Sequence, residues 1–370
     1  MAFIVSLLTD YTVQIVVLGT VILGLTSGAL GSFAVLRQQS LLGDAIAHAT
    51  LPGICVAFLM THSKSSMVLL FGAAISGWLA TLVMTVIIDY TALKKDAALG
   101  IVLSVFFGIG LTLLTFVQKS PVGTKSGLTT FLFGNASTLL KEDVVLIFIL
   151  SCLAFLGIFL FWKEFKLITF DPEFAVSMGF SYQRLNLLLT SILVLSIVIG
   201  LQTVGVVLMS AMIIAPATAA RQWTDRLATM VILSGIFGAF SGVFGSLISS
   251  VIPKLPNGPT IVLVVSSISF LSLLFAPNRG LVFAWYRRYR NRRQLQEDVM
   301  VSNLLLFSES FEDPCYAHDI AALESIGEAG SLNCLTSLKS KGLVHSPQVN
   351  FWGLTEKGVL YAQSLGVIDQ

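Results

Sequence analysis

Two residues in the stretch "LLGDAIAHATLPG", residues 41–53, have types and spacing suited to chemistry: Asp44 and His48. Four positions apart on a helix, they lie on one face, one turn from each other. One carboxylate oxygen and one imidazole nitrogen suit Mn²⁺, Fe²⁺ or Zn²⁺, whereas Cu⁺ prefers sulfur ligands. The surrounding residues are apolar or small. An ionisable group in such a run costs a few kcal/mol if it sits in a membrane, so it usually faces a polar cavity or a partner. Two ligands are too few for a storage site, but a path that an ion must leave needs fewer. The alternative is structural: Asp44 caps the helix and His48 hydrogen-bonds a backbone carbonyl.

Cys315, His318, Cys334 and His345 form a second candidate set, a metal sensor. Cys315 and His318 have the C-x-x-H spacing of a metal clip, but the rest matches no finger pattern, and a structural or solvated role is the alternative. The four cysteines, Cys55, Cys152, Cys315 and Cys334, include no CxxC pair and read as reduced. There is no GxxxxGK[ST] loop, no glycine-rich phosphate loop after a strand, and no Ser/His/Asp or Cys/His set. The chain is not expected to be an enzyme or to hold a permanent cofactor. Any ATP hydrolysis would fall to another chain.

The elements that must position these residues follow from composition. Of 370 residues, 55% are hydrophobic and 11% charged, with a mean hydropathy of +0.87. Soluble domains carry about 25% charged residues, so an all-α polytopic membrane protein is expected. Apolar stretches near the ~20 residues needed to span a bilayer fall at 13–36, 43–61, 66–88, 97–117, 143–162, 184–203, 204–221, 227–251 and 259–276. Pro216 interrupts the short seventh stretch, so the count is eight or nine. The start "MAFIVSLLTD" lacks the basic residues of a cleavable signal, and the N-terminus is expected to be retained.

Lys and Arg in alternate loops number eight (Arg37, Lys94, Lys95, Lys163, Lys166, Arg184, Arg221, Arg226) against five (Lys64, Lys119, Lys125, Lys141, Lys254). After the last span, "NRGLVFAWYRRYRNRR" carries six arginines and no acid. It suits an anionic cytoplasmic membrane surface, so membrane lipid is an expected partner. With nine spans the N-terminus lies outside and the C-terminus in the cytoplasm. Small residues recur at helix-packing spacing: Gly24 and Gly28, then Gly235, Gly238, Gly242 and Ser246.

"FDPEFAVSMG", residues 170–179, falls in a loop placed in the cytoplasm by charge. Asp171-Pro172-Glu173 reads as a helix start with an N-cap, proline at the first position and an acid against the dipole. Gly179 reads as the stop. A plain interhelical turn is the alternative. Residues 300–370 carry eight acids and three bases and no spanning run. The expected division is a transmembrane domain at 1–278, a basic juxtamembrane linker at 279–299 and a small cytoplasmic domain at 300–370.

Five blocks in order carry a resemblance. "GALGSFAVLRQQSLLGDAIAHATLPG", "KKDAALGIVLSVFFGIGL", "LTTFLFGNAS", "ITFDPEFAVSMG" and "LQTVGVVLMSAMIIAPATAAR" resemble the manganese/zinc/iron ABC transporter permeases, over roughly residues 10–277. The resemblance implies a multi-pass permease of the bacterial cytoplasmic (inner) membrane, part of an ATP-driven importer for manganese, zinc or iron. It implies a fold similar to the vitamin B12 and siderophore importers with fewer helices. Implied partners are an ABC ATPase, an external or periplasmic metal-binding protein and a second permease, identical or related, with the path at the permease interface. The family's metal-path aspartate and histidine match Asp44 and His48. Its ATPase-coupling helix matches the segment holding Asp171, Pro172, Glu173, Ala175 and Gly179.

In the tail, "SLNCLTSLKSKGLVHS" and "FWGLTEKGVLYAQSLG" resemble a winged helix, a small α+β domain. Net charge of −5 at 300–370, with only Lys339 and Lys341 near the presumed recognition helix, equips it poorly for phosphate contacts, so DNA is not an expected partner. Two other functions stay open: a secondary metal transporter driven by an ion gradient, and a membrane-tethered metal-responsive regulator. The first would need more acids within the spans than Asp44, because Asp89, Asp96 and Asp143 sit at span ends.

Overall fold

The structure, a computed structural model, describes residues 10–39, 41–62, 65–119, 139–201, 204–252, 255–309, 314–319, 332–348 and 350–365. The block "LTTFLFGNAS" (128–137) and Lys64, Lys125 and Lys254 lie outside the described residues. The chain divides into two compact units, 1–280 and 281–370.

In the first unit the long apolar runs become helices: α1 (Tyr11–Leu36), α2 (Leu42–Thr61), α3 (Ser66–Tyr90), α4 (Lys95–Lys119) and α5 (Lys141–Leu160). Two short helices follow, α6 (Trp162–Phe170) and α7 (Pro172–Ser177), then α8 (Tyr182–Leu201), α9 (Val206–Trp223), α10 (Leu227–Val251) and α11 (Asn257–Phe275). Asp10 caps α1 by accepting the Thr12 N–H at 2.9 Å. Among the described residues, eight helices are long and apolar enough to cross a membrane: α1 to α5, α8, α10 and α11. The seventh expected span forms α9, an 18-residue helix around Pro216 that falls outside those eight. Ala217, Ala219 and Ala220 of α9 are buried among its neighbours, so the helix does not need a lipid-facing apolar surface.

The small-residue stripes meet. A Cβ added at Gly24 would overlap the Gly238 carbonyl, and one at Gly238 would overlap the Gly24 carbonyl. A Cβ at Gly242 would come 2.7 Å from the Thr20 carbonyl oxygen. The α1 and α10 backbones therefore cross in direct contact, as small residues permit in membranes. Hydroxyls reinforce the crossing: Ser234 Oγ donates to Gly28 O at 2.6 Å, and Thr20 Oγ1 lies 3.0 Å from Ser246 Oγ. Early α1 thus meets late α10, and the two run antiparallel.

A chain of contacts collects one end of the bundle. Arg37, after α1, hydrogen-bonds Asn186 near the start of α8. Phe33 packs edge-on against Trp162 and Phe165 of α6, with ring centroids 6.0 and 6.3 Å apart. Gln183 donates to Asp89 at the end of α3 at 3.1 Å. Ser32 donates to Met230 O, near the start of α10, at 3.5 Å. Asn278 and Arg279, after α11, bond Trp223 O at 2.8 Å and Asp225 at 2.6 Å, after α9. The starts of α8 and α10 and the ends of α1, α3, α9 and α11 therefore share one end of the unit. Since α8 starts at this end and α9 finishes there, α9 runs back through the bundle, and the described helices of the first unit run its length nine times. Tyr11 then lies at the opposite end from Arg279.

The second unit opens with α12 (Leu281–Glu309), followed by β1 (His318–Asp319), α13 (Leu332–Ser340), β2 (Val344–His345), β3 (Phe351–Leu354) and α14 (Glu356–Ser364). The arginine-rich stretch lies inside α12, because no Gly or Pro interrupts residues 281–309. The strands form an antiparallel sheet in the order β1-β3-β2, with His318 opposite Trp352 and His345 opposite Gly353. Val301, Leu304, Leu335, Leu338, Val344, Trp352 and Leu354 fill the core. On α13, Leu335 and Leu338 are buried and Leu332 is exposed. Thr355 caps α14 by accepting the Gly358 N–H at 3.1 Å.

Candidate functional site

Asp44 stands in the first turn of α2, where a carboxylate opposes the positive end of the helix dipole. His48 follows one turn on, with its Nε2 3.4 Å from Asp44 Oδ1. The His48 side chain is 14% exposed and that of Asp44 35%, so the pair is open on the aspartate side. The structural alternative receives no support. The α2 cap residue is Leu41 with no side-chain cap bond, and His48 Nδ1 is buried without a hydrogen-bond partner among the described residues.

The separation is informative. Two ligands about 2.1 Å from one ion and set at a tetrahedral angle are about 3.4 Å apart. The Asp44–His48 separation is compatible with two ligands on one divalent ion, and equally with a direct ion pair one helical turn apart. Phe107 of α4 packs edge-on against the His48 ring, centroids 4.5 Å apart, and restricts its tilt. Sequence reading missed Phe107, because an apolar residue in an apolar span carries no signal of its neighbour. Pro52, inside α2, cannot donate to the His48 carbonyl as the helical pattern requires, so one backbone hydrogen bond of the continuous helix is missing just beyond the pair. Against the other wall, α9 lies beside the first turn of α2, with Ser210 Cα 3.5 Å from where a Cβ on Gly43 would sit.

Asp89 and Asp143, like Asp44, sit at helix ends, and both have hydrogen-bond partners. Asp143 accepts the Leu140 N–H at 3.0 Å at the start of α5, and Asp89 accepts from Gln183. Asp96 lies in the first turn of α4.

The 170–179 segment folds as its residues dictate. Asp171 Oδ1 accepts the Phe174 N–H at 2.9 Å, Pro172 opens α7, and Glu173 lies in its first turn. Phe180 N–H reaches Ala175 O and Gly179 N–H reaches Val176 O, both at 3.0 Å. These are the two bonds of a Schellman stop, with Gly179 at φ +87° in the left-handed region. Ala175 is fully buried, while Phe174, Val176 and Met178 are exposed. The segment is thus a rigid short helix presenting an apolar surface.

The four tail residues are not assembled in the same way. His318 and His345 stand on β1 and β2, separated by β3, Cys315 precedes β1, and Cys334 is buried on α13. Burial pushes the Cys334 thiol up and the His318 imidazole down from their ordinary values. Among the described residues, no three or more His, Cys, Asp or Glu side chains are grouped as a metal ion would need. Of the two lysines near the presumed recognition helix, Lys341 pairs with Glu297 and Lys339 lies 5.7 Å over the Trp352 ring.

Comparison with known proteins adds to this geometry. Residues 9–276 match the family model described as "ABC 3 transport family". The chain is 51% identical over 287 residues to the zinc transport system membrane protein TroC of Treponema pallidum, covering 78% of this chain and 96% of that one. It is 42% identical over 349 residues to the manganese transport system membrane protein MntC of Bacillus subtilis, covering 94% and 80%. That alignment is long enough to run into the second unit. Among solved structures, PsaBC from Streptococcus pneumoniae in complex with Fab aligns with a TM-score of 0.66 and 32% identity, covering 75% of this chain and 96% of that one.

Proposed function

The chain belongs to the ABC 3 transport family, and from that membership we propose how it moves its cargo. It is a multi-pass bacterial membrane protein, the permease subunit of an ABC transport system. Its cargo is a divalent transition metal: manganese, zinc or iron. The metal is substrate, not resident cofactor. The relatives' names support this range, and the oxygen–nitrogen donor pair fits all three ions.

The observation that carries the site is the 3.4 Å pairing of Asp44 and His48 in an otherwise apolar helix. These two residues form a transient stop for the ion. Two protein ligands hold it weakly enough to leave. The open side of Asp44 admits it, while Phe107 keeps the imidazole facing the carboxylate.

The end of the bundle that gathers Arg37, α6, α7 and Arg279 is the cytoplasmic one, supported by the basic loops there. The start of α1 then lies outside. An ABC ATPase docks on the apolar surface of α7 and supplies the hydrolysis, with Asp171, Pro172, Glu173, Ala175 and Gly179 shaping that surface. A second permease, identical or related, completes the path, and an external binding protein delivers the ion. The division into a permease domain (1–278), a basic segment (279–299) and a cytoplasmic winged-helix-like tail (300–370) is part of the same reading.

Metal uptake in cells expressing the whole transporter tests the site. Asp44→Ala and His48→Ala each abolish uptake if the reading holds. Unchanged uptake in the well-expressed double variant would refute it.

A further inference from the structure

The basic stretch of α12 is not uniformly solvated. Arg287, Arg288, Arg290, Arg292 and Arg293 bring five positive charges within seven residues and no acid. The last two face α13 across a cavity of about 770 Å³. Asn333, Thr336, Ser337 and Ser340 line its other side. Arg293 leans toward α13, with its Nη2 3.5 Å from Ser337 Oγ and its Nε 4.0 Å from Glu297 Oε1. The Ser337 hydroxyl is itself fixed, donating to Glu297 at 2.7 Å. Glu297, which lies beside both Arg293 and Ser337, lines a neighbouring cavity with Asp298. The Thr336, Ser337 and Ser340 hydroxyls donate to Leu332 O, Glu297 and Ser337 O, so the donors left to a ligand are the two guanidiniums and the Asn333 amide.

Planar guanidiniums match phosphate oxygens in paired hydrogen bonds, and a neutral amide adds a further donor. We propose that Arg292 and Arg293, with Asn333, form a site for the phosphate group of an organic ligand against the α13 wall of this cavity. The cavity is larger than a bare phosphate requires, leaving room for the group that carries it. Two sources share this chemistry: the headgroup of an anionic phospholipid and a soluble phosphate. The headgroup has the stronger support, since α12 begins six residues after the last long apolar helix. Basic segments beside a span also attract the anionic leaflet.

Hydrogen exchange of the full-length chain in nanodiscs tests this. One arm compares equal parts phosphatidylglycerol and phosphatidylcholine with phosphatidylcholine alone, and the other adds inorganic phosphate. Arg292→Gln/Arg293→Gln is set against Arg287→Gln/Arg288→Gln, an equal change of charge away from the cavity. Ser340→Glu, at an exposed position, places a negative charge at the mouth without disturbing the core. The expected result is protection of 287–293 and 332–340 in one arm. Half-saturation should shift by at least about tenfold in the cavity pair, as for loss of one or more charged hydrogen bonds, shift in the same direction in Ser340→Glu, and stay unchanged in the control pair. Protection in the lipid arm alone identifies a headgroup, and in the phosphate arm a soluble ligand. Absence of protection in both arms, or equal loss in both arginine pairs, overturns the site.

Discussion

His48 Nε2 lies 3.4 Å from Asp44 Oδ1, one helical turn away. Neither residue has another described hydrogen-bond partner that explains its presence in the membrane unit. An ionisable pair within an apolar helix is costly unless a cavity, a partner or a cargo repays the desolvation. In a family of transport permeases the cargo is the direct explanation. It also accounts for the low ligand number, which a resident structural metal would not tolerate.

The α1–α10 crossing gives a prediction about stability. Gly24→Ala and Gly238→Ala place a methyl group into the partner's carbonyl. Overpacking of this kind costs about 1–3 kcal/mol. Gly100, where an added Cβ meets nothing within 4 Å, is the control. Thermal unfolding of the purified protein in detergent should show a lower midpoint for the first two variants and no loss for Gly100→Ala.

The α7 segment gives a prediction about coupling. Met178→Asp and Val176→Asp change only exposed side chains, so folded yield should hold. Co-purification of the ATPase and metal uptake should both fall to near background. Asp171→Ala removes the helix cap, worth about 1 kcal/mol, and Gly179→Ala strains a left-handed position by about 1–2 kcal/mol. Both should weaken co-purification by a smaller factor. Normal ATPase capture by Met178→Asp would contradict the docking assignment.

How much of this was readable in the sequence differs by element. The glycines at 24 and 28 and those at 235, 238 and 242 announced helix packing, because spacing alone places each set on one stripe of its helix, but not which helices would meet. Asp171, Pro172 and Gly179 announced α7, because capping chemistry is local. The passage of α9 was harder to read. Its alanines and Pro216 lower its apolar signal, and it is held by burial among other helices, which a linear pattern does not record. Phe107 was invisible for a related reason, since the contact joins α4 to α2. The tail strands are two to four residues long, too short for an alternating pattern to stand out.

The tail unit gives a prediction about acid stability. Burial pushes the Glu297 carboxyl up, but hydrogen bonds from Lys341 and Ser337 outweigh it and hold the group below its ordinary value. A carboxylate depressed in the fold stabilises above the unfolded value, about 4.3, and that stability is lost as pH falls through the lower folded value. Hydrogen exchange at 332–340 in the full-length chain should therefore accelerate as pH falls below about 4, after correction for intrinsic rates. Glu297→Gln should be less protected at neutral pH and should respond less to acid. An acid response in Glu297→Gln equal to that of the parent would show that another group carries it.

The most direct measurement is uptake of manganese, zinc and iron by proteoliposomes that hold the permease, its ATPase and its binding protein. Asp44→Asn and His48→Gln keep the size of each side chain while weakening it as a ligand. The account predicts that each variant assembles with the ATPase and hydrolyses ATP, yet carries metal at background level. Uptake at the parent rate by the double variant, with assembly intact, would contradict a metal stop at Asp44 and His48.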